Sequence, residues 1–256
     1  MNAFAPMRGS DWPRLDENPQ ITQITQFKQS KQVGVFRSLN SRHLSNVSFG
    51  NLRNLRNLRI TFFFKLTLRI IAGKYRGRNL KGPPSLEVRP TSDRLRETLF
   101  NVIAPRIDGA RFLDLCAGSG AVGIEAISRG ATHATFVDSS RAMCTLIKSN
   151  IELCRIERSE SDVVQAEVQD YLRRFVSKQP DSGKPWDIVF FDPPYADNYL
   201  PILDTFAARS SSLLTENGLL IVEHQSKNSL PEGLGSLLRY RVLKQGDSAL
   251  SFYQVE

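Results

Sequence analysis

Between residues 112 and 223, short apolar runs alternate with longer amphipathic stretches, and only a few polar residues separate one from the next. Phe112–Cys116, Ala134–Asp138, Val163–Ala166, Asp187–Phe191 and Gly218–Glu223 read as strands. The stretches between them, Ser119–Arg129, Ser140–Cys154, Val168–Val176 and Leu200–Leu214, read as helices. Strands that alternate with helices form βαβ units, so the sheet is expected to be mostly parallel with helices on both faces. Leu237–Leu243 and Ala249–Val255 are two strands with no helix between them, which predicts an antiparallel hairpin at one edge. Ligands of such sheets bind at the carboxyl ends of the strands, where the strand order reverses.

Upstream of this core the texture differs. Leu68–Ala72 and Arg78–Lys81 read as strands joined by a turn at Gly73–Gly77, a small β-hairpin, and Thr91 or Ser92 can cap a helix reaching about Ile103. Residues 1–66 repeat Ile-Thr-Gln over 21–26 and Asn-Leu-Arg over 51–59, a period of three that suits neither helix nor strand. They read as a disordered, low-complexity basic extension. An RNA-binding tail, an organelle transit peptide and an over-long gene start all remain open for it; Asp11, Asp16 and Glu17 speak against the transit peptide. The expected division is therefore 1–66 extension, 67–91 basic hairpin and connector, and 92–256 catalytic domain.

The charge follows the same division. Residues 1–68 carry a surplus of seven positive charges and 69–96 a surplus of six, whereas the remainder is net negative. A polyanion is therefore drawn to the front of the chain. Arg69, Lys74, Arg76 and Arg78 with Tyr75 combine phosphate-binding charge and a stacking ring, so the hairpin is an expected RNA contact. No run of 18 apolar residues exists, so no membrane span is expected. Three cysteines without CxxC spacing fit free thiols in a reducing compartment, and three scattered histidines suggest no metal site.

The first core strand, ending in Asp114-Leu115-Cys116, runs into Ala117-Gly118-Ser119-Gly120-Ala121-Val122-Gly123. Glycines allow a sharp turn and close approach of backbone to ligand, and the following helix points its free N–H groups into the same space. Gly118, Gly120 and Gly123 satisfy GxGxxG, so a nicotinamide dinucleotide is a formal competitor. Asp114 favours another ligand, because a carboxylate just before the glycines suits an ammonium group better than a pyrophosphate. S-adenosylmethionine has that ammonium and no phosphate. Asp138, ending the next strand and followed by Ser139, can accept the ribose hydroxyls. Glu167-Val168 can meet the adenine, the alternative for Glu167 being an ordinary first-turn helix acid. Cys116 reads as a small buried filler.

The fourth strand delivers Asp192-Pro193-Pro194-Tyr195 to the same sheet edge. An amino group on a base is a poor nucleophile because its lone pair is delocalised into the ring. Acceptors at the Asp192 carboxylate and the Pro193 carbonyl can hold its two hydrogens and aim the lone pair at a methyl donor. Tyr195 can stack on an extruded base. These four residues are the candidate catalytic set.

Arg69–Arg78, Arg89–Asn101, the glycine loop and the DPPY tetrad occur in one order, and together they resemble the RsmD family of bacterial 16S rRNA guanine-N2 methyltransferases. The resemblance covers about 69–256. It implies a class I S-adenosylmethionine-dependent methyltransferase fold with a seven-stranded sheet, and one guanine of small-subunit rRNA as target. It also implies Thr91, Asp93 and Arg94 as candidates beside the cofactor. The partner is then small-subunit rRNA or a 30S particle, and the expected protein is a cytoplasmic monomer. A DNA adenine-N6 methyltransferase, which can also use DPPY, and a non-catalytic RNA-binding assembly factor are the competing readings. The first usually carries an added target-recognition domain; the second would not need an intact Asp114, Asp138 and tetrad.

Overall fold

The computed structural model describes residues 68–83, 93–178, 183–194 and 199–255, all within one compact unit spanning 63–256. The expected disordered extension, with Thr91 and Tyr195, lies outside the described residues. A two-stranded hairpin, β1 (Leu68–Arg69) and β2 (Asn79–Leu80), precedes helix α1 (Asp93–Ile107). Then follow β3 (Arg111–Leu115), α2 (Ala121–Ser128), β4 (His133–Asp138), α3 (Arg141–Cys154), β5 (Ser161–Gln165), α4 (Val168–Ser177), β6 (Trp186–Phe191) and α5 (Leu200–Leu213). The chain closes with β7 (Leu214–Gln225), β8 (Gly233–Leu234), β9 (Leu237–Gln245) and β10 (Ser248–Val255).

Eight strands form one sheet in the order β5-β4-β3-β6-β7-β10-β9-β8. The pairs from β5 to β7 are parallel, and β10 is antiparallel to both β7 and β9. This is the mostly parallel sheet with an antiparallel hairpin that the alternation predicted, with the two-residue edge strand β8 added. After β3 the chain winds outward through β4 and β5, then returns to place β6 on the other side of β3. The order therefore reverses between β3 and β6, and a cleft opens there.

Buried side chains alternate between two cores, one on each face. Phe112, Ile188, Phe190, Ile221, Leu250 and Phe252 pack with α1, α2 and the hairpin residues Leu68, Ile70, Tyr75 and Leu80. Leu113, Leu115, Val189, Phe191, Val222 and Tyr253 pack with α4 and α5 on the other face. The central strands bury both faces, which is why their sequences are continuously apolar.

The hairpin pairs over only two residues per strand, less than predicted. From Ile71 onward its backbone turns to α2 instead. The amides of Ile71 and Ala72 donate to the Glu125 carboxylate at 2.7 and 2.9 Å, and those of Lys74 and Tyr75 donate to Ser128. Gly73 sits at φ +82, where an added Cβ would lie 1.7 Å from the Ser128 carbonyl oxygen, so only glycine fits. Glu125 is fully buried and also meets Arg129 at 2.7 Å and the buried Arg96 at 3.9 Å. Among the described residues no helix is long and apolar enough to cross a membrane.

Candidate active site

Sheet register brings three carboxylates into line. Asp114 of β3 lies beside Phe190 of β6, and Phe190 beside Ile221 of β7. Two residues further along, on the same face, stand Asp192 and Glu223. All three carboxylates line a cleft of about 700 Å³ at the carboxyl ends of these strands. Among the described residues no group of three His, Cys, Asp or Glu could hold a metal ion.

The glycine loop forms one wall. Cys116, Gly118 and Gly120 take φ of +61, +53 and +75, so the chain enters the left-handed region three times in five residues. Glycine does this freely; Cys116 pays for it in backbone strain, on the order of 1 kcal/mol. Cys116 is half-buried and lines the cleft, not the sealed filler that its size suggested. The Gly120 amide closes the turn on the Ala117 carbonyl at 2.7 Å. Gly123 passes so close to Phe136 of β4 that an added Cβ would lie 2.3 Å from the ring. Asn150 of α3, fully buried, donates to the Ser119 carbonyl at 2.9 Å and exchanges hydrogen bonds with the Lys81 backbone. It ties the loop to the hairpin exit, a positioning role that no motif announced.

Two carboxylates hold the loop from below. Asp114 is 2% exposed and accepts from the Gly123 amide at 2.9 Å. Burial pushes its carboxyl well above the usual range; the Gly123 hydrogen bond opposes this, and the charges of Asp192 and Asp138 add to it. Asp138 accepts from the amides of Gly118 and Ser140, both at 2.8 Å. Each of its oxygens keeps a second lone-pair direction for a ligand. The fit to S-adenosylmethionine is direct: a buried carboxylate for the ammonium, a half-exposed one for the ribose, and Met143, Ala166 and Val168 as apolar cover for the adenine beside the exposed Glu167.

Of the residues read from the sequence, Asp114, Ala117, Gly118, Ser119, Asp138, Ser139, Glu167, Val168, Asp192, Pro193 and Pro194 line this one cleft. Gly120 does not; it caps α2 and shapes the turn. Asp93 and Arg94 are not among the lining residues either. The Asp93 carboxylate is taken by Arg96 at 3.0 Å and Arg69 at 3.6 Å, Arg94 is exposed, and it is Leu95 of the same helix that reaches the cleft. The structure therefore does not bring these two candidates into the cleft. Sequence reasoning also missed Glu223 and the β9–β10 turn Gln245-Gly246-Asp247-Ser248, which form the far wall.

On the hairpin, Tyr75 cannot be a stacking ring. It is 3% exposed and belongs to the core, because its backbone is drawn down onto Ser128. The guanidinium of Arg78 instead lies 5.0 Å from the centre of its outer face and donates to the Cys154 carbonyl. Arg69, Lys74, Arg76 and Arg78 are exposed, Arg69 pairing with Asp93 and Lys74 with Glu160 at 3.9 Å. Pro83, just past the hairpin, lines the same cleft as Asp192.

Residues 68–254 match the family described as conserved hypothetical protein 95. The ribosomal RNA small subunit methyltransferase D of Escherichia coli K12 is 37% identical over 195 residues, covering 74% of this chain and 90% of that protein. The solved structure of a putative methyltransferase from Escherichia coli, yhhF, is 34% identical and superposes with a TM-score of 0.64, covering 74% of this chain and 98% of that one. The fold is also that of SMU.776, solved as a complex with SAH, at 18% identity and a TM-score of 0.52 over 62% of this chain and 49% of that one.

Proposed function

The chain belongs to the family described as conserved hypothetical protein 95, the RsmD family, and from that membership we propose that it methylates the exocyclic N2 amino group of one guanine in small-subunit rRNA. It is an S-adenosylmethionine-dependent methyltransferase. The observation that carries this reading is the single cleft in which Asp192-Pro193-Pro194 stands beside the buried Asp114 and the loop-holding Asp138.

When bound, S-adenosylmethionine supplies a methyl group made electrophilic by its sulfonium. Asp114 holds the ammonium end, Asp138 the ribose, and the apolar side chains of α3 and α4 exclude water from the adenine. Asp192 and the Pro193 carbonyl accept the two hydrogens of the target amino group. Proline removes the backbone N–H groups that would compete for those acceptors. The lone pair of the amino nitrogen is thereby held toward the methyl group, an advantage of orientation and preorganised charge. The proton released afterwards passes to Asp192 or to water. Tyr195, the next residue, supplies the plane on which the base stacks.

RNA approaches across the hairpin through phosphate contacts of Arg69, Lys74, Arg76 and Arg78, which position the strand without reading it. The substrate is rRNA within an assembling or assembled 30S particle, and the enzyme acts as a monomer in the cytoplasm. Residues 214–255 complete the sheet, so this part of the chain supplies none of the added recognition domain usual in DNA adenine methyltransferases. Mass spectrometry of rRNA nucleosides from cells lacking the gene tests the assignment. One N2-methylguanosine should disappear from small-subunit rRNA and return on complementation; an unchanged N2-methylguanosine content refutes it.

A further inference from the structure

The cleft extends past the residues assigned to the cofactor. Its far wall is built from Glu223 at the end of β7 and the turn Gln245–Ser248, beyond the catalytic Asp192 as seen from Asp114. Glu223 is 4% exposed yet faces this space. It stands one strand over from Asp192, and neighbouring strands lie about 4.8 Å apart. Two carboxylates thus sit side by side on the wall that the target base must meet.

Only one common base presents two adjacent donors to such a wall. On its Watson–Crick edge guanine carries the N2 amino group next to the ring N1–H. Adenine and cytosine carry their amino groups next to a ring nitrogen that is an acceptor. Enzymes that act on extruded bases read this edge. A carboxylate offers about four lone-pair sites, so Glu223 can take a ligand donor beside any protein donor it meets.

Resting on the guanine-N2 reading above, we infer that Glu223 is the residue that selects guanine: its carboxylate accepts the ring N1–H while Asp192 accepts a hydrogen of N2. Against adenine or cytosine the same carboxylate faces a lone pair, and the repulsion disfavours a productive pose. The contact also assists the transfer. The N2 lone pair forms the new N–C bond, the C–S bond breaks with its electrons on sulfur, and the positive charge stays on the tetrahedral N2 until a proton leaves it. A carboxylate on the adjacent N1–H stabilises that charge through space.

The test uses 2-aminopurine, which keeps the amino group but has a bare acceptor at N1. Small-subunit particles are reconstituted with guanine or 2-aminopurine at the mapped target nucleotide, and kcat/KM is measured for each. Wild-type enzyme should prefer guanine by on the order of 100-fold. Glu223→Gln, whose amide can turn to offer either a donor or an acceptor, should shrink that ratio to below about tenfold while its affinity for S-adenosylhomocysteine stays within about threefold. A wild-type enzyme indifferent to the exchange overturns the assignment, and so does a cofactor-binding variant with an unchanged ratio. If the variant does not bind cofactor, the wild-type ratio decides. Failure of the wild-type enzyme to methylate guanine at all would instead remove the underlying guanine-N2 reading.

Discussion

The two walls of the cleft are built on different principles. The wall that fits the cofactor is made of consecutive residues at the ends of β3 and β4, where carboxylates grip backbone amides of a glycine turn: Asp114 on Gly123 and Asp138 on Gly118. The wall proposed for the base gathers Asp192, Glu223 and Gln245–Ser248 from separate elements of the sheet. A small nucleoside of fixed shape can be held by a local backbone motif, because one turn supplies most of its contacts. A base embedded in a large RNA has to be met by side chains brought together only by the sheet. Binding of the cofactor and chemistry on the base should therefore fail separately.

The largest separation is expected at Asp192. Asp192→Ala should lower kcat by about a thousandfold, the scale of removing a preorganised transition-state contact, while calorimetry finds S-adenosylmethionine affinity within about threefold of wild type. A variant with near-normal turnover would strip Asp192 of its role; one that lost cofactor affinity as well would show the walls to be a single unit. Asp138→Ala should give the mirror image. Losing a charged acceptor costs about 1.5–3 kcal/mol, so the cofactor Kd should rise roughly 10- to 100-fold, with kcat at saturating cofactor much less affected.

Gly123→Ala separates shape from charge on the cofactor wall. The new methyl would press on Phe136, which is fully buried and cannot swing away. Overpacking of this kind costs about 1–3 kcal/mol, visible as a lowered thermal midpoint that saturating cofactor partly restores by mass action. An unchanged midpoint would mean that α2 shifts away from β4 without cost.

The same contrast explains what could be read before any coordinates. The sheet followed from periodicity, and the loop residues from glycine spacing with Asp114 and Asp138 at strand ends, because those determinants are local. Glu223 is one more acid at the end of an apolar strand; only the register against β6 sets it beside Asp192. Gln245–Ser248 reads as an ordinary hairpin turn until β10 inserts between β7 and β9. Tyr75 failed for a related reason. Beside four cations it resembles a stacking ring, but the local charge pattern holds no trace of Ser128, 53 residues away, whose hydroxyl accepts the Tyr75 amide hydrogen. Asp93 has a partner hidden from the sequence in the same way, since Arg96 is buried by contacts from β1 and α2.

The smallest effect expected is a proton. Burial first, and then its acidic neighbours, raise the Asp114 carboxyl in the free protein. A carboxyl whose folded pKa lies above its unfolded value of about 3.9 favours the folded state while protonated. That contribution is present at low pH and is lost as pH rises through the folded value. The ammonium of the cofactor favours the ionised form, so binding should expel a proton over this window, and affinity should rise with pH by up to about tenfold per unit. Calorimetry in two buffers of different ionisation enthalpy measures the released proton. Asp114→Asn should abolish that release. Equal heats for the wild-type protein in both buffers would mean that Asp114 is already ionised before the cofactor arrives.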